Sequence, residues 1–405
     1  MTDEKQFPLR IILLVLLGWI AIGFPRMLIS PLLPTIENEF KVSHAVAALL
    51  MSSYLLPYAI VQLPTGSLSD RFGNRPFMIL AMLGTSVGSL LMSFTASFNQ
   101  AIIVRVLSGT LSGLWFTTSS KMIIQNTHNT RQGRALGIAY SGASIANIFI
   151  YFLVGASSTD VMGWRPYFAM GSIPGFICLV LIYFIAKNLK DESVRKTDKE
   201  VTISLTMFLK YLKGRPLASA LIFNFLASLA NWSLGAFTPT YLVLDRKLLV
   251  AEASSVMIVQ AASAVFNSLI GGYVTDHFGF KVPVIVSVTV MCLVSLLIPV
   301  SPLGIQMWIL LILWGLMGGW SFVAFNLYIL NTVPEKLRGT FLGTFNQVGF
   351  ISATIGPPVF GFVIDFAGFQ SFFTLSLVLF FVSIVPVIFI KNDRHSAKEQ
   401  TIRTA

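Results

Sequence analysis

The sequence predicts an all-α integral membrane protein, with twelve transmembrane helices in two pseudo-symmetric six-helix bundles. Three observations predict it: too little charge to cover a water-soluble surface, twelve apolar runs of bilayer length, and a short motif recurring every third run. Of 405 residues, 55% are hydrophobic and 11% charged, with a mean hydropathy of +0.78; an ordinary soluble domain is about 25% charged. That balance excludes a soluble enzyme, a disordered chain and a disulfide-rich secreted scaffold. Cys178 and Cys292 both lie inside apolar segments, so no disulfide framework or cysteine metal site is implied. No cofactor and no metal is expected.

A bilayer core of about 30 Å takes about 20 apolar residues as a helix. Span one (9–36) is too long for the apolar stretch of a signal peptide and carries Pro25 and Arg26. Spans two (45–65) and three (76–95) flank the basic turn at Arg71 and Arg75. Spans four (100–123) and five (135–157) flank Arg131 and Arg134, and span six (166–186) runs into the one long polar segment. Spans seven (216–242) and eight (253–274) enclose Arg246 and Lys247, and span nine (282–300) begins after Lys281. Spans ten (304–331) and eleven (340–364) flank Lys336 and Arg338, and span twelve (370–390) meets a basic tail. Barrel strands would be shorter and alternating, and lipid-exposed backbone must satisfy its own hydrogen bonds, so each run reads as a helix.

The basic residues set an orientation. With the N-terminus inside, 21 of the 28 Lys and Arg fall on the cytoplasmic side, and the external loops hold only Lys41, Arg165, Arg246 and Lys247. This positive-inside pattern places both termini in the cytoplasm of a plasma-membrane protein. It also accounts for the net charge of +11 without nucleic acid, because the charge faces anionic lipid. The organisation expected is an N-terminal bundle over 1–186, a linker over 187–215, a C-terminal bundle over 216–391 and a tail over 392–405. Within the linker, Met207, Phe208, Tyr211 and Leu212 stand at helical spacing. They fit a helix in the membrane interface or a plain connection.

Comparing the ends of alternate spans shows an internal repeat. Gly66-Ser-Leu-Ser-Asp70-Arg71-Phe-Gly73 follows span two and Gly272-Tyr-Val-Thr-Asp276-His277-Phe-Gly279 follows span eight. Gly361-Phe-Val-Ile-Asp365-Phe-Ala-Gly368 follows span eleven, with a looser copy from Gly155 through Asp160 to Gly163 after span five. Four three-helix units paired into two halves is the plan of a secondary transporter. The glycines allow close helix approach. Asp70, with Arg71 and Arg75, can form a charge latch that holds one conformation, and Gly272, Asp276 and Gly279 form its counterpart.

On these residues the chain resembles the major facilitator superfamily over essentially its whole length. GSLSDRFGNRPFM, residues 66–78, is similar to that superfamily's signature loop between helices two and three. The resemblance implies that Asp70, Arg71 and Arg75 gate the inward opening rather than bind substrate. The second-half copy carries His277 where the first Arg stands, so its latch is expected to be weaker. Arg105-Val-Leu-Ser-Gly109 resembles the family's fourth-helix motif. Arg26, Pro34 and Tyr58-Ala-Ile-Val-Gln62 resemble the organic anion:cation symporter branch, in which the first-helix Arg contacts an anionic substrate. Pro25 and Ser112 depart from that branch's usual acidic residues.

A census of charge inside the spans points the same way. All 17 carboxylates lie outside the spans or at their ends, whereas Arg26, Arg105 and Lys121 lie within. An ion in lipid costs about 2.5–3.5 kcal/mol on the insertion scale, so each cation needs water or a partner. Arg26 reads as a substrate contact or as snorkelling to the interface. Arg105 reads as a substrate contact or a brace on backbone carbonyls, and Lys121 as reaching inner headgroups. Candidate substrate-binding residues are Arg26, Arg105, Tyr54, Tyr58 and Tyr140 in the first half. In the second half they are Asn224, Trp232, Asn326 and Tyr328. The glycines at 109 and 113 read as small-residue helix contacts. His44, His128, His277 and His395 are all outside the spans, so a coupled proton would ride on the substrate or on a peripheral group; anion exchange fits more simply. No phosphate loop or hydrolase motif occurs, so an ATP-driven pump and an enzyme are not expected. The reading is a monomeric transporter of a small organic anion. Drug efflux or transport of a neutral sugar-like solute is the alternative, and a membrane receptor would need a signalling domain.

Overall fold

The structure is a computed structural model that describes residues 8–128, 131–157, 162–186, 215–388 and 390. The linker residues Met207 to Leu212, Asp160 and the tail lie outside the described residues. Every regular element among those described is helical. Ten helices are long and apolar enough to cross a membrane. One of them, Glu335–Ile388, changes direction at Gly368, and the shorter apolar helix Lys281–Leu297 adds another pass. The passes are α1 (Leu9–Phe40), α2 (His44–Phe72), α3 (Asn74–Met92), α4 (Phe98–Asn126), α5 (Gln132–Gly155) and α6 (Arg165–Ala186). They continue with α7 (Arg215–Leu244), α8 (Val250–Phe278), α9 (Lys281–Leu297), α10 (Ile305–Thr332), α11 (335–367) and α12 (369–388).

The recurring motif has a backbone cause. Gly73, Gly163, Gly279 and Gly368, the last residue of each copy, all have positive φ, between 68° and 86°. Gly73, Gly279 and Gly368 pair that φ with an extended ψ of 161° to 177°, a region essentially closed to residues with a Cβ. Each therefore reverses the chain between consecutive helices. Gly73→Ala is expected to cost about 1–3 kcal/mol of strain. A thermal melt of the purified variant that matches the parent would show that this turn is not required.

By contacts the chain forms two compact units. Among the described residues, one comprises those up to 186 with Gly235–Ala262 and Ala353–Gly368, and the other comprises 215–234, Ser263–Ser352 and those from Phe369. The core of the first unit joins α1, α3, α4, α5 and α6 through Ile12, Val15, Met82, Trp115, Ala139 and Ile182, all buried. Gly18 leaves the notch that the Trp115 ring fills. Lipid gives helices no hydrophobic reason to associate, so such close apposition carries the packing.

The pairing of α2 with α4 fixes the interior of this unit. Arg105 Nε donates to the Leu50 carbonyl at 2.8 Å, a separation of 55 residues. Lys121 Nζ donates to the Gly66 carbonyl at 2.6 Å, again 55 residues apart. Between these ends, Gly109 abuts the Tyr54 carbonyl and Gly113 the Tyr58 carbonyl, in the same register. A constant offset at every fourth residue is what two parallel helices produce when one face of each stays in contact. Cations close the ladder at both ends, and glycines allow the approach in its middle.

Candidate functional site

α1 is interrupted at Leu28, three residues before Pro31, which has no N–H to give the Met27 carbonyl. Arg26 sits beside this break and is half-buried. Arg105, only 2% exposed, bonds the Pro25 carbonyl as well as that of Leu50. It ties α1 at the break to α2 and so fixes where Arg26 stands. Two tyrosines of α2 face the two cations. The Arg105 guanidinium lies 4.4 Å from the Tyr54 ring centre and that of Arg26 lies 5.7 Å from Tyr58. The two rings stack at 6.1 Å and 16°. Both contacts are within the range of cation–π attraction. The arrangement concentrates two positive charges in a part of the chain whose apolar runs supply no carboxylate, an environment suited to an anion.

Tyr140 belongs to a neighbouring aromatic cluster that sequence reading only partly reached. Its ring lies 5.4 Å from Trp19 edge-on and 5.9 Å from Phe116 in a stack, and its hydroxyl bonds Ser120 at 2.7 Å. Trp19 stands seven residues before Arg26, on the same face of α1 about 10 Å away. That spacing was the available signal for Trp19. Phe116 had none, because only the packing of α4 on α5 singles it out among 34 phenylalanines.

In the second unit each expected residue has a definite place. The Asn224 amide donates to the Phe345 carbonyl at 2.6 Å and its oxygen accepts from Ser228, so it braces α7 against α11. Asn326 donates back to Phe322 of its own helix. Tyr328 packs on Phe280 at 4.7 Å, and Trp232 is half-buried.

At the α2–α3 turn, Asp70 pairs with Lys121 of α4. Consecutive side chains on a helix diverge by about 100°. Arg71 therefore points away and lies over Phe72 at 5.3 Å, whereas Lys121 projects from α4 onto Gly66, Ser69 and Asp70. Lys121 thus turns inward to α2 instead of reaching headgroups. In the other copy, the His277 ring bonds the Tyr273 carbonyl one turn back. Asp276 is in the last turn of α8, ahead of Gly279, and an added Cβ at Gly272 would meet no atom within 4 Å.

The opposite end of the first unit is closed by contacts from α7, α8 and α11. Ser30 Oγ donates to the Gly235 carbonyl at 2.6 Å, and Ser52 Oγ to that of Thr354. Asp365 accepts from the backbone N–H groups of His44 and Ala45, both at 2.9 Å. Gly361 makes that approach possible, since an added Cβ would stand 2.7 Å from the Ala45 backbone. Gly155 plays the same part against Ser255, where a Cβ would lie 2.8 Å from the hydroxyl. Two copies of the repeat therefore seal this end in the same way, and nothing in the sequence identified their partners. Nearby, Arg165 forks onto both oxygens of Glu39, at 2.6 and 2.9 Å, and Trp164 Nε1 adds a third bond.

A sequence profile described as the Major Facilitator Superfamily matches residues 15–357 and 220–405. The chain is 22% identical to the cis,cis-muconate transport protein of Acinetobacter baylyi, over 93% of each chain. It is 24% identical to the class H tetracycline resistance protein of Pasteurella multocida, over 88% of each. Among solved structures it is similar to that of a D-xylose-proton symporter, with a TM-score of 0.78 at 16% identity, covering 96% of this chain and 99% of that one. At that identity the likeness speaks for the fold.

Proposed function

We propose, on the premise that this chain belongs to the major facilitator superfamily, that its cargo is a small organic anion carried by alternating access. The chain is a multi-pass membrane transporter and not an enzyme. The observation that carries the anionic reading is the pair of guanidinium groups on Tyr54 and Tyr58, in spans without a carboxylate. Arg105 already holds two backbone carbonyls, so its part is to position. Arg26 is the group that grips cargo, as a fork onto a carboxylate. Trp19, Phe116 and Tyr140 offer an apolar surface for the rest of the molecule. The name of the Acinetobacter baylyi relative, a muconate transport protein, points to the same chemistry.

The orientation that goes with this reading puts both termini in the cytoplasm of the plasma membrane, from the 21 basic residues on that side. The two six-helix bundles, 1–186 and 216–391, are the halves that alternate, in a monomer. With no Asp, Glu or His inside the apolar runs, exchange against a counter-anion or facilitated diffusion requires no buried proton relay. A neutral or amphipathic cargo is the second reading, favoured by the tetracycline-resistance relative.

Counterflow in proteoliposomes decides between the readings. Vesicles preloaded with organic anions, neutral sugars or cationic dyes are tested for uptake of the labelled compound. Exchange of mono- or dicarboxylates is the expected result. Exchange of dyes or sugars with none of the carboxylates would overturn it.

A further inference from the structure

The transport reading makes no use of the titratable groups where α1, α2 and α11 meet. Residues 37–44 lie outside the apolar runs 9–36 and 45–65, and two of them are hydrogen-bonded. The His44 Nδ1 atom is 2.9 Å from Glu37 Oε1. Glu37 is only 7% exposed. Asp365, at the end of α11, holds the backbone N–H groups of His44 and Ala45, and Phe237 of α7 packs edge-on against the His44 ring at 6.2 Å. Glu37 and Asp365 both act electrostatically on His44, and His44 and Asp365 on Glu37.

We propose that Glu37, His44 and Asp365 form a proton-binding latch, in which a proton taken up by His44 holds α11 against α1 and α2 and its loss releases them. The cargo reading is not needed for this inference. It rests on the contacts of the latch itself. With one ring proton, His44 donates from Nδ1 to Glu37 and is uncharged, leaving two carboxylates close together with one of them buried. That arrangement is repulsive and poorly solvated. A second proton, added at Nε2, makes the imidazolium that both carboxylates attract. When α11 leaves, Asp365 goes with it and water reaches His44 and Glu37, so the open state has less to gain from the proton.

The sign follows from linkage. Burial works against the His44 imidazolium, yet in the latched state Glu37, by hydrogen bond and charge, together with Asp365 holds it above its ordinary range. The latch is thus at full strength below the ordinary histidine value of about 6.5. It weakens as pH rises through the raised value. Burial likewise raises the Glu37 carboxyl, which adds proton affinity to the same closed state. On the orientation proposed above, this end faces outward, so external acidity would favour closure there.

Distance measurement between two spin labels tests the latch without any substrate. The labels are placed at Asn99 and Phe366, both exposed, in the full chain in nanodiscs with Cys178→Ala and Cys292→Ala. The long-distance population is expected to rise about three- to tenfold from about pH 6 to about pH 9. Tenfold is the rise that follows if the latched state holds the His44 proton about ten times more tightly than the open one. His44→Gln should remove that dependence. Glu37→Gln should keep a transition but move its midpoint to lower pH, since one of the two carboxylates favouring the imidazolium is gone. A profile in His44→Gln that matches the parent, or a population that falls with rising pH, overturns the proposal. Should His44→Gln not be recovered folded, an unmoved midpoint in Glu37→Gln overturns it equally.

Discussion

Gly109→Ala is expected to separate α4 from α2 and to reduce transport more than tenfold, whereas Gly137→Ala should leave both stability and transport unchanged. The same added methyl meets two different surroundings. At Gly109 it would overlap the carbonyl, carbonyl carbon and Cα of Tyr54, all backbone atoms that cannot rotate aside. At Gly137 it would meet nothing within 4 Å. Overpacking of this kind costs about 1–3 kcal/mol, and more where only backbone can yield. The displacement would propagate along the register, because Arg105 and Lys121 bond the same helix one turn above and three turns below. A thermal midpoint for Gly109→Ala equal to that of Gly137→Ala would show that the ladder does not hold the two helices together.

Arg26→Gln and Arg105→Gln are expected to fail in different ways. Arg26 is half-buried and lies over Tyr58, so removing its charge should weaken cargo binding and spare the fold. A hydrogen bond to a charged group is worth about 1.5–3 kcal/mol, which corresponds to a rise in KM for the anion of about 10- to 150-fold. Arg105 is almost fully buried and holds the carbonyls of Pro25 and Leu50. A glutamine there cannot span both; the Leu50 carbonyl keeps Ser53 as a donor, whereas leaving the Pro25 carbonyl unpaired costs about 1–3 kcal/mol. The expected outcome is a lowered melting temperature and little folded protein. Counterflow kinetics beside a thermal melt separate the two cases. An Arg26→Gln protein that exchanges anions with an unchanged KM would remove that residue from cargo recognition.

The legible parts of this protein are those that depend on one helix at a time. Span positions follow from hydropathy, since a bilayer selects apolar runs of fixed length. Repeat ends were legible because only glycine tolerates the φ that turns the chain at positions 73, 163, 279 and 368. The absence of carboxylates from the spans is likewise a fact of the sequence, and it bears directly on cargo. Pairing was not legible. Arg71 stands next to Asp70 in the chain, yet Lys121, 51 residues away, takes the carboxylate. Asn224, expected as a group for cargo, bonds the Phe345 carbonyl 121 residues on. Glu37 and His44 stand seven residues apart in the chain, and their interest comes from Asp365, 321 residues from His44.

The sequence alone determined that this is a helical membrane protein, how many passes it makes, where each three-helix unit turns and which charges enter the membrane. Those properties come from local hydropathy and local backbone sterics, which act within a few residues of one another. Only the tertiary structure decided which cation each carbonyl or carboxylate receives, that Arg105 braces while Arg26 stands half-buried over Tyr58, and that two of the repeat copies close one end of the first unit. Those are matters of register between helices far apart in the chain. In a bilayer that register is set by close glycine contacts and hydrogen bonds, not by any hydrophobic pattern along a single helix.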